Sequence, residues 1–253
     1  MFSQAHKDQL SQEGFCVLEN VLSKEACAEA RAELIAAAEE SRRRGVPTYI
    51  DNLDPNDANV RVFNLLDLSP KFVELISHPT ALEIVAHLLN DDFIVSNFTA
   101  NIARPGSESM VAHSDLGVVL PEPWHAPWSM NIIWCLDDVY EANGATKYLP
   151  GSHHYKTRSE LPENFVAQMV PFEAKAGSVI AMDGRVWHTS GRNVTESDER
   201  ALLFGYYSRS FIRPQWNFTA ALSDETKATL SPELRHRLGL GITANVNPLT
   251  GIN

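Results

Sequence analysis

Between Phe93 and Tyr207 the chain divides into short β-rich runs: Phe93–Phe98, Asn101–Ala103, Met130–Leu136, Ala145–Leu149, Ser178–Met182 and Ala201–Tyr207. Arg104-Pro105-Gly106-Ser107, Asn143-Gly144 and Pro150-Gly151-Ser152 punctuate them. Such Pro/Gly/Asn clusters stop a strand because they demand turn backbone angles. Many short strands must each bury at least one face, so the pattern predicts a sandwich or small barrel. A double-stranded jelly roll is one solution.

The flanks read as helical. Phe15-Cys16-Val17-Leu18 after Gly14 reads as a short strand, and Ser23 can cap a helix running to about Arg44. Glu39 and Glu40 precede Arg43 and Arg44 by four positions, and Gly45 supplies the stop. Residues 46–66, with Pro47, Pro55 and several Asn and Asp, read as a long loop of the kind that serves as a lid or binding loop. Two short helices follow near Lys71–Ser77 and Thr80–Leu89, and a last one begins at Ser231-Pro232 and stops at Gly239. No repeat or linker divides the chain. The expectation is one domain over 1–253, with a helical part at 1–91, a jelly-roll core at about 92–211 and a tail at 212–253.

Several function classes are disfavoured. A formal net charge of -11 argues against nucleic-acid partners, which need Lys and Arg against phosphate. Met1–Leu10 lacks the apolar core of a signal peptide, and no run of about 18 apolar residues suggests a membrane span. Cys16, Cys27 and Cys135 are odd in number and sit in apolar stretches, so they read as buried free thiols of a reducing compartment. A cytoplasmic protein is expected. Its oligomeric state is left open, a homodimer included.

Three segments carry the chemistry. In His113-Ser114-Asp115, residues two apart on a strand share a face, so an imidazole and a carboxylate can grip one ion from one side. Trp187-His188-Thr189 follows the run Ser178–Met182 and adds a second imidazole. Two His and one carboxylate occupy one face of an octahedral Fe(II) and leave the other for a co-substrate and O2. Arg200 stands directly before Ala201–Tyr207. A guanidinium entering a buried strand is costly unless an anion pairs with it, which suits a clamp on a distal carboxylate. Arg192 competes for that role but sits in a polar turn.

Taken together these segments resemble the phytanoyl-CoA dioxygenase family of Fe(II)/2-oxoglutarate oxygenases. The resemblance extends through Arg104-Pro105-Gly106-Ser107, Asn131–Asp138, Glu141–Thr146 and Pro150-Gly151-Ser152-His153, and includes the opening Glu13-Gly14-Phe15. It implies a double-stranded β-helix, mainly β with flanking helices, and Fe(II) with 2-oxoglutarate and O2 as co-substrates. By the same resemblance His113, Asp115 and His188 are iron ligands. Arg200 pairs with the co-substrate, Thr146 donates a hydroxyl to the same carboxylate, and Asn131 is a further co-substrate contact. The interval from His188 to Arg200 is about one residue longer than the family's. Asp115 is present, so chloride has no open ligand position and hydroxylation, desaturation or a related oxidation is expected, not halogenation.

For the substrate, Met110, Leu116, Trp124, Trp128, Phe211 and Trp216 flank these segments and are candidates for an apolar pocket. Arg61 and Asn64 could reach a polar group. No basic cluster suits a coenzyme A phosphate, so a small molecule such as a natural-product intermediate is expected. Two alternatives stay open: a non-enzymatic cupin-like ligand-binding protein, and a zinc hydrolase using the same ligands. No Glu adjoins either ligand segment to act as the hydrolase's general base.

Overall fold

The computed structural model describes residues 1–50, 54 and 56–241. Its strands, in chain order, are β1 (Phe15–Leu18), β2 (Asn59–Val62), β3 (Phe93–Ala103), β4 (His113–Ser114), β5 (Ser129–Cys135), β6 (Lys147–Tyr148), β7 (Val170–Pro171), β8 (Val179–Asp183), β9 (Trp187–Thr189) and β10 (Arg200–Arg209). They form a six-stranded sheet in the order β1-β8-β5-β10-β3-β2 and a four-stranded sheet in the order β4-β9-β6-β7. Pairing is antiparallel throughout the named strands. The longest pair, β3 with β10, runs from Ala103↔Arg200 to Phe93↔Arg209 with a bulge between Tyr206 and Tyr207.

The larger sheet is buried on both faces, which is why its strands read as near-continuous apolar runs. Alternate residues point to opposite sides. Ile132, Trp134, Ala201, Leu203 and Tyr207 join a core shared with the helices, whereas Ile133, Cys135, Ile180, Met182 and Leu202 face the smaller sheet. The helices on the outer face are α1 (Gln4–Glu13), α2 (Lys24–Arg43), α3 (Leu65–Leu68), α4 (Pro70–Ile76) and α5 (Pro79–Leu89), followed late in the chain by α6 (Phe218–Ala221), α7 (Asp224–Thr229) and α8 (Pro232–Arg237). Ser23 caps α2 by accepting from the Ala26 amide at 3.2 Å, and Ser231 caps α8 in the same way through Leu234.

Pro70–Leu89 is apolar enough, at a mean hydropathy of 1.2, to cross a membrane by composition. It instead breaks at Ser77-His78 into α4 and α5, which bury Phe72, Leu75, Ile76, Ile84, Val85 and Leu89 in the core.

Two local expectations, on 46–66 and on Phe93–Ala103, need correction. The stretch 46–66 is not one loop: Asn59–Val62 pairs with β3 as an edge strand, and Leu65–Leu68 is helical. Residues 51–53 and 55 lie outside the described ones. The two runs Phe93–Phe98 and Asn101–Ala103 are a single strand, because Thr99-Ala100 continues the ladder to β10. Residues 4–13, which carry no apolar stripe, form α1 through a reciprocal cap between Ser3 and His6 and a left-handed Gly14.

Candidate metal centre

β4 and β9 pair so that His113 lies directly across from His188. The imidazoles come from adjacent strands of the smaller sheet, with ring centroids 4.4 Å apart. Asp115 is not on the strand, as the spacing argument assumed; it opens a 3-10 turn over Asp115–Val118 that swings its carboxylate back toward both rings. Its Oδ1 stands 3.8 Å from His113 Nε2 and 3.7 Å from His188 Nε2. The three ligand atoms all lie within 4.8 Å of one another.

Both rings are oriented by the same device. His113 Nδ1 is 3.0 Å from the Val111 carbonyl and His188 Nδ1 is 3.0 Å from the Val186 carbonyl. A carbonyl can only accept, so each Nδ1 carries the proton and each Nε2 lone pair faces the centre. Burial is the main cause lowering the His188 pKa below the ordinary histidine value, which keeps the ring neutral and able to bind a metal.

Asp115 is held from three sides. Asn131 Nδ2 donates to its Oδ2 at 3.1 Å, leaving Oδ1 toward the histidines. Tyr206 donates its hydroxyl to the Asp115 carbonyl at 3.1 Å. The Gly184 carbonyl accepts from Ser114 Oγ at 2.7 Å and from the Leu116 amide at 2.8 Å, bracketing Asp115 in the chain. A Cβ on Gly184 would stand 1.9 Å from Ser129 Oγ and 3.0 Å from the Ser129 carbonyl oxygen. Gly184→Ala should therefore shift this turn and the Asp115 segment with it. We expect a loss of about 1–3 kcal/mol in stability, as for other overpacked sites, read by chemical denaturation, together with weaker metal retention. Asn131→Ala removes only the outer contact to the carboxylate and is expected to lower iron affinity about 10–100-fold, measured by competition with a chelator.

The metal-facing side opens into a cavity of about 150 Å³ that also holds Thr146 and Arg200. Arg200 is 1% exposed, and its Nε is buried with no hydrogen-bond partner. Burial lowers its pKa to about 10, so it remains a cation at neutral pH. The nearby Asp137 is already engaged, by Arg31 Nε at 2.7 Å and by the Ala201 amide at 3.0 Å. Arg192 is elsewhere: its exposed guanidinium pairs with Glu108 at 2.7 Å and does not line this cavity. Two imidazoles and a carboxylate suit Fe(II). A buried, unsatisfied guanidinium in the same cavity suits a second, carboxylate-bearing occupant, since leaving it unpaired is costly.

The candidate substrate residues divide. Arg61 and Met110 line the cavity. Leu116 and Trp124 pack with Leu149, Met169 and Trp187 in a separate apolar cluster, where the Trp124 indole donates to the Val119 carbonyl. Trp128 stacks edge-on with Phe211, Trp216 lies against Phe63, and Asn64 is the left-handed residue before α3. None of those six lines the cavity. Residues the sequence reading passed over do: Asn97, Thr99 and Asn101 on β3, with Ile133, Met182, Ser190, Phe204, Tyr206 and Gln215. A signal for the first three was present, because polar residues at every second position of a buried strand imply one wet face.

The family model described as phytanoyl-CoA dioxygenase (PhyH) matches residues 10–201, well over half of the chain. The chain belongs to the phytanoyl-CoA dioxygenase family. Among its relatives, Dioxygenase af480 of Aspergillus fumigatus is 48% identical over 238 residues, covering 94% of this chain and 76% of that protein. Ectoine dioxygenase of Nocardia farcinica is 26% identical over 252 residues, covering 85% and 82% respectively. The crystal structure of HygX from Streptomyces hygroscopicus, with nickel and 2-oxoglutarate bound, superposes with a TM-score of 0.68 at 17% identity, covering 88% of this chain and 94% of HygX. That likeness bears out the double-stranded β-helix. Family membership makes this chain an Fe(II)/2-oxoglutarate-dependent dioxygenase, with O2 as the other co-substrate.

Proposed function

We propose that this dioxygenase oxidises an unactivated C–H bond of a small molecule, by hydroxylation, desaturation or a related two-electron step, with release of succinate and CO2. The observation that carries the reading is the buried, unpartnered Arg200 guanidinium in the same cavity as the three metal donors. In this assignment His113, Asp115 and His188 hold the iron. Arg200 and the Thr146 hydroxyl bind the far carboxylate of 2-oxoglutarate, and Asn131 fixes the Asp115 carboxylate. The iron with its co-substrates supplies the oxidising power; the protein orients the C–H bond and excludes water.

The cupin-like binding protein and the zinc hydrolase lose ground for physical reasons. A purely structural ion has no use for an unpaired cation buried beside it. Among the described residues no Glu lines the cavity to serve a hydrolytic water. The test incubates the iron-loaded protein with 2-oxoglutarate, O2 and a library of small molecules, reading succinate and product masses. A gain of one oxygen or a loss of two hydrogens is expected. Turnover that persists without O2 and with zinc in place of iron defeats the proposal.

A further inference from the structure

We infer that the substrate is an uncharged molecule whose hydroxyl, or comparable neutral donor–acceptor group, is bound by the side-chain amides of Asn97 and Gln215. This rests on the dioxygenase reading above and extends it to a substrate class.

The charges in the cavity wall cancel. Arg61, the second guanidinium there, is forked on Asp54 through Nε at 3.2 Å and Nη2 at 2.5 Å, and the Asp54 side chain is fully buried. Arg61 is therefore already neutralised and does not wait for an anion. Once Arg200 holds one carboxylate of 2-oxoglutarate, the divalent iron, Asp115 and the co-substrate dianion complete a set of charges that sums to zero. The polar groups that remain in the wall, among the described residues, are neutral: Asn97, Thr99, Asn101, Ser190, Tyr206 and Gln215. Gln215 is exposed and Asn97 half-buried, so the pair stands at the mouth of the cavity. A carboxylate, phosphate or ammonium entering past it would shed part of its hydration and find no counter-charge.

The same wall specifies what replaces the charge. Asn97 Nδ2 donates to Gln215 Oε1. Whichever way the two amides are turned, their mutual bond leaves one carbonyl oxygen and one NH2 group free. A donor and an acceptor side by side are the complement of a hydroxyl, which both gives and takes a hydrogen bond. The pair is anchored: the Gln215 amide donates to Ser96 Oγ and the Trp216 amide to the Ser96 carbonyl, each at 3.0 Å, tying this segment to the edge of β3.

Register places the pair relative to the iron. Asn97 lies across from Tyr206, and Tyr206 across from Asn131, the residue that holds Asp115. Two strand spacings, roughly 10 Å, separate Asn97 from Asn131. The bound polar group and the oxidised carbon thus belong to different parts of the molecule. Ile133, Met182 and Phe204 provide the apolar wall of the same cavity.

The experiment uses the Fe(II)- and 2-oxoglutarate-loaded protein under nitrogen near neutral pH. It is titrated calorimetrically with three probes that share one ring: cyclohexanol, cyclohexylamine and cyclohexanecarboxylate. Cyclohexanol is expected to bind at least about tenfold more tightly than either ion, because only the alcohol matches a neighbouring donor and acceptor without giving up hydration of a charge that the wall does not pair. Gln215→Leu should lower cyclohexanol affinity about tenfold at unchanged melting temperature. Asn97→Asp, nearly isosteric, places an anion at the same point and should move the preference to cyclohexylamine. The inference is overturned if the wild-type protein shows no preference for the alcohol, whether by equal binding, tighter binding of an ion or no binding of any probe. It is equally overturned if Asn97→Asp leaves the order unchanged. A prior titration with 2-oxoglutarate alone separates the two levels. Failure there defeats the dioxygenase assignment, whereas normal co-substrate binding with the wrong probe order defeats only the substrate class.

Discussion

Asp115→Ala is expected to leave a folded protein that retains almost no iron and forms no succinate above background. The carboxylate is the only anionic member of the ligand set, and its Oδ1 stands within 3.8 Å of both imidazole Nε2 atoms. Removing it deletes a coordinate bond together with the negative charge that offsets the cation. Outer contacts to metal ligands are worth about 10–100-fold in affinity, and loss of the ligand itself should exceed that range. The fold should survive, because the Asp115 side chain donates nothing to the apolar core and the turn remains tied through Ser114 and Leu116 to Gly184. Iron content by elemental analysis, beside an unchanged circular dichroism spectrum, is the measurement. Wild-type iron retention in this variant would remove Asp115 from the ligand set. His188→Ala should behave in the same way, as its ring is buried and oriented by the Val186 carbonyl.

Arg200→Leu should separate co-substrate binding from metal binding. Iron should remain, whereas the apparent KM for 2-oxoglutarate should rise by about 10–100-fold, the range expected for charge-assisted hydrogen bonds worth about 1.5–3 kcal/mol. The same substitution has an opposite effect on the ligand-free protein. There the guanidinium is buried without a partner at Nε, so the apolar leucine, which removes that unpaired charge, should raise stability by roughly 1–3 kcal/mol. Differential thermal melting reads both signs. In the wild type, saturating 2-oxoglutarate at about a hundred times its dissociation constant should add about 2.7 kcal/mol, roughly 5–10 °C for a domain of this size. At the same concentration the roughly 10–100-fold weaker binding in Arg200→Leu should cut that increment to about 0.4–1.4 kcal/mol, from a higher starting point. An unchanged 2-oxoglutarate dependence would move the clamp to another residue, and Arg192, already paired with Glu108 at the surface, is poorly placed to take it.

The neutral-substrate inference joins these two results. If Arg200 is the only unpaired cation in the cavity wall among the described residues, its role is consumed by the co-substrate and none is left for an anionic substrate. The chemistry that selects the oxidised molecule then lies with uncharged amides and hydroxyls on β3 and on the segment at Gln215.

Much of this was readable in the chain as written. His113-Ser114-Asp115, Trp187-His188 and Arg200 are local signals, and a ligand triplet or an Arg beside an apolar run needs no knowledge of the fold to be noticed. Ser23 and Ser231 likewise announce their helices, because a cap is an interaction between residues three apart. The β-rich runs were visible because turn residues impose their angles locally. Where the run was short and of mixed polarity, as in β2 (Asn59-Val60-Arg61-Val62) inside the supposed loop or the Thr99-Ala100 join of Phe93–Ala103, the assignment depended on a ladder partner far away in sequence.

The sequence by itself thus supplied the candidate donors His113, Asp115 and His188 and the candidate clamp Arg200, since these are chemical identities that no packing can alter. Tertiary structure decided everything that depends on which faces meet. It set His113 opposite His188, turned Asp115 off its strand, closed Arg61 onto Asp54, and placed Arg192 outside the cavity. It also put Leu116 and Trp124 into a separate apolar cluster while bringing Asn97, Thr99 and Asn101 inward. The physical reason is that a side chain's charge and hydrogen-bonding capacity belong to the residue. Whether that capacity is already satisfied belongs to its neighbours, and those neighbours are supplied by strands distant in the chain.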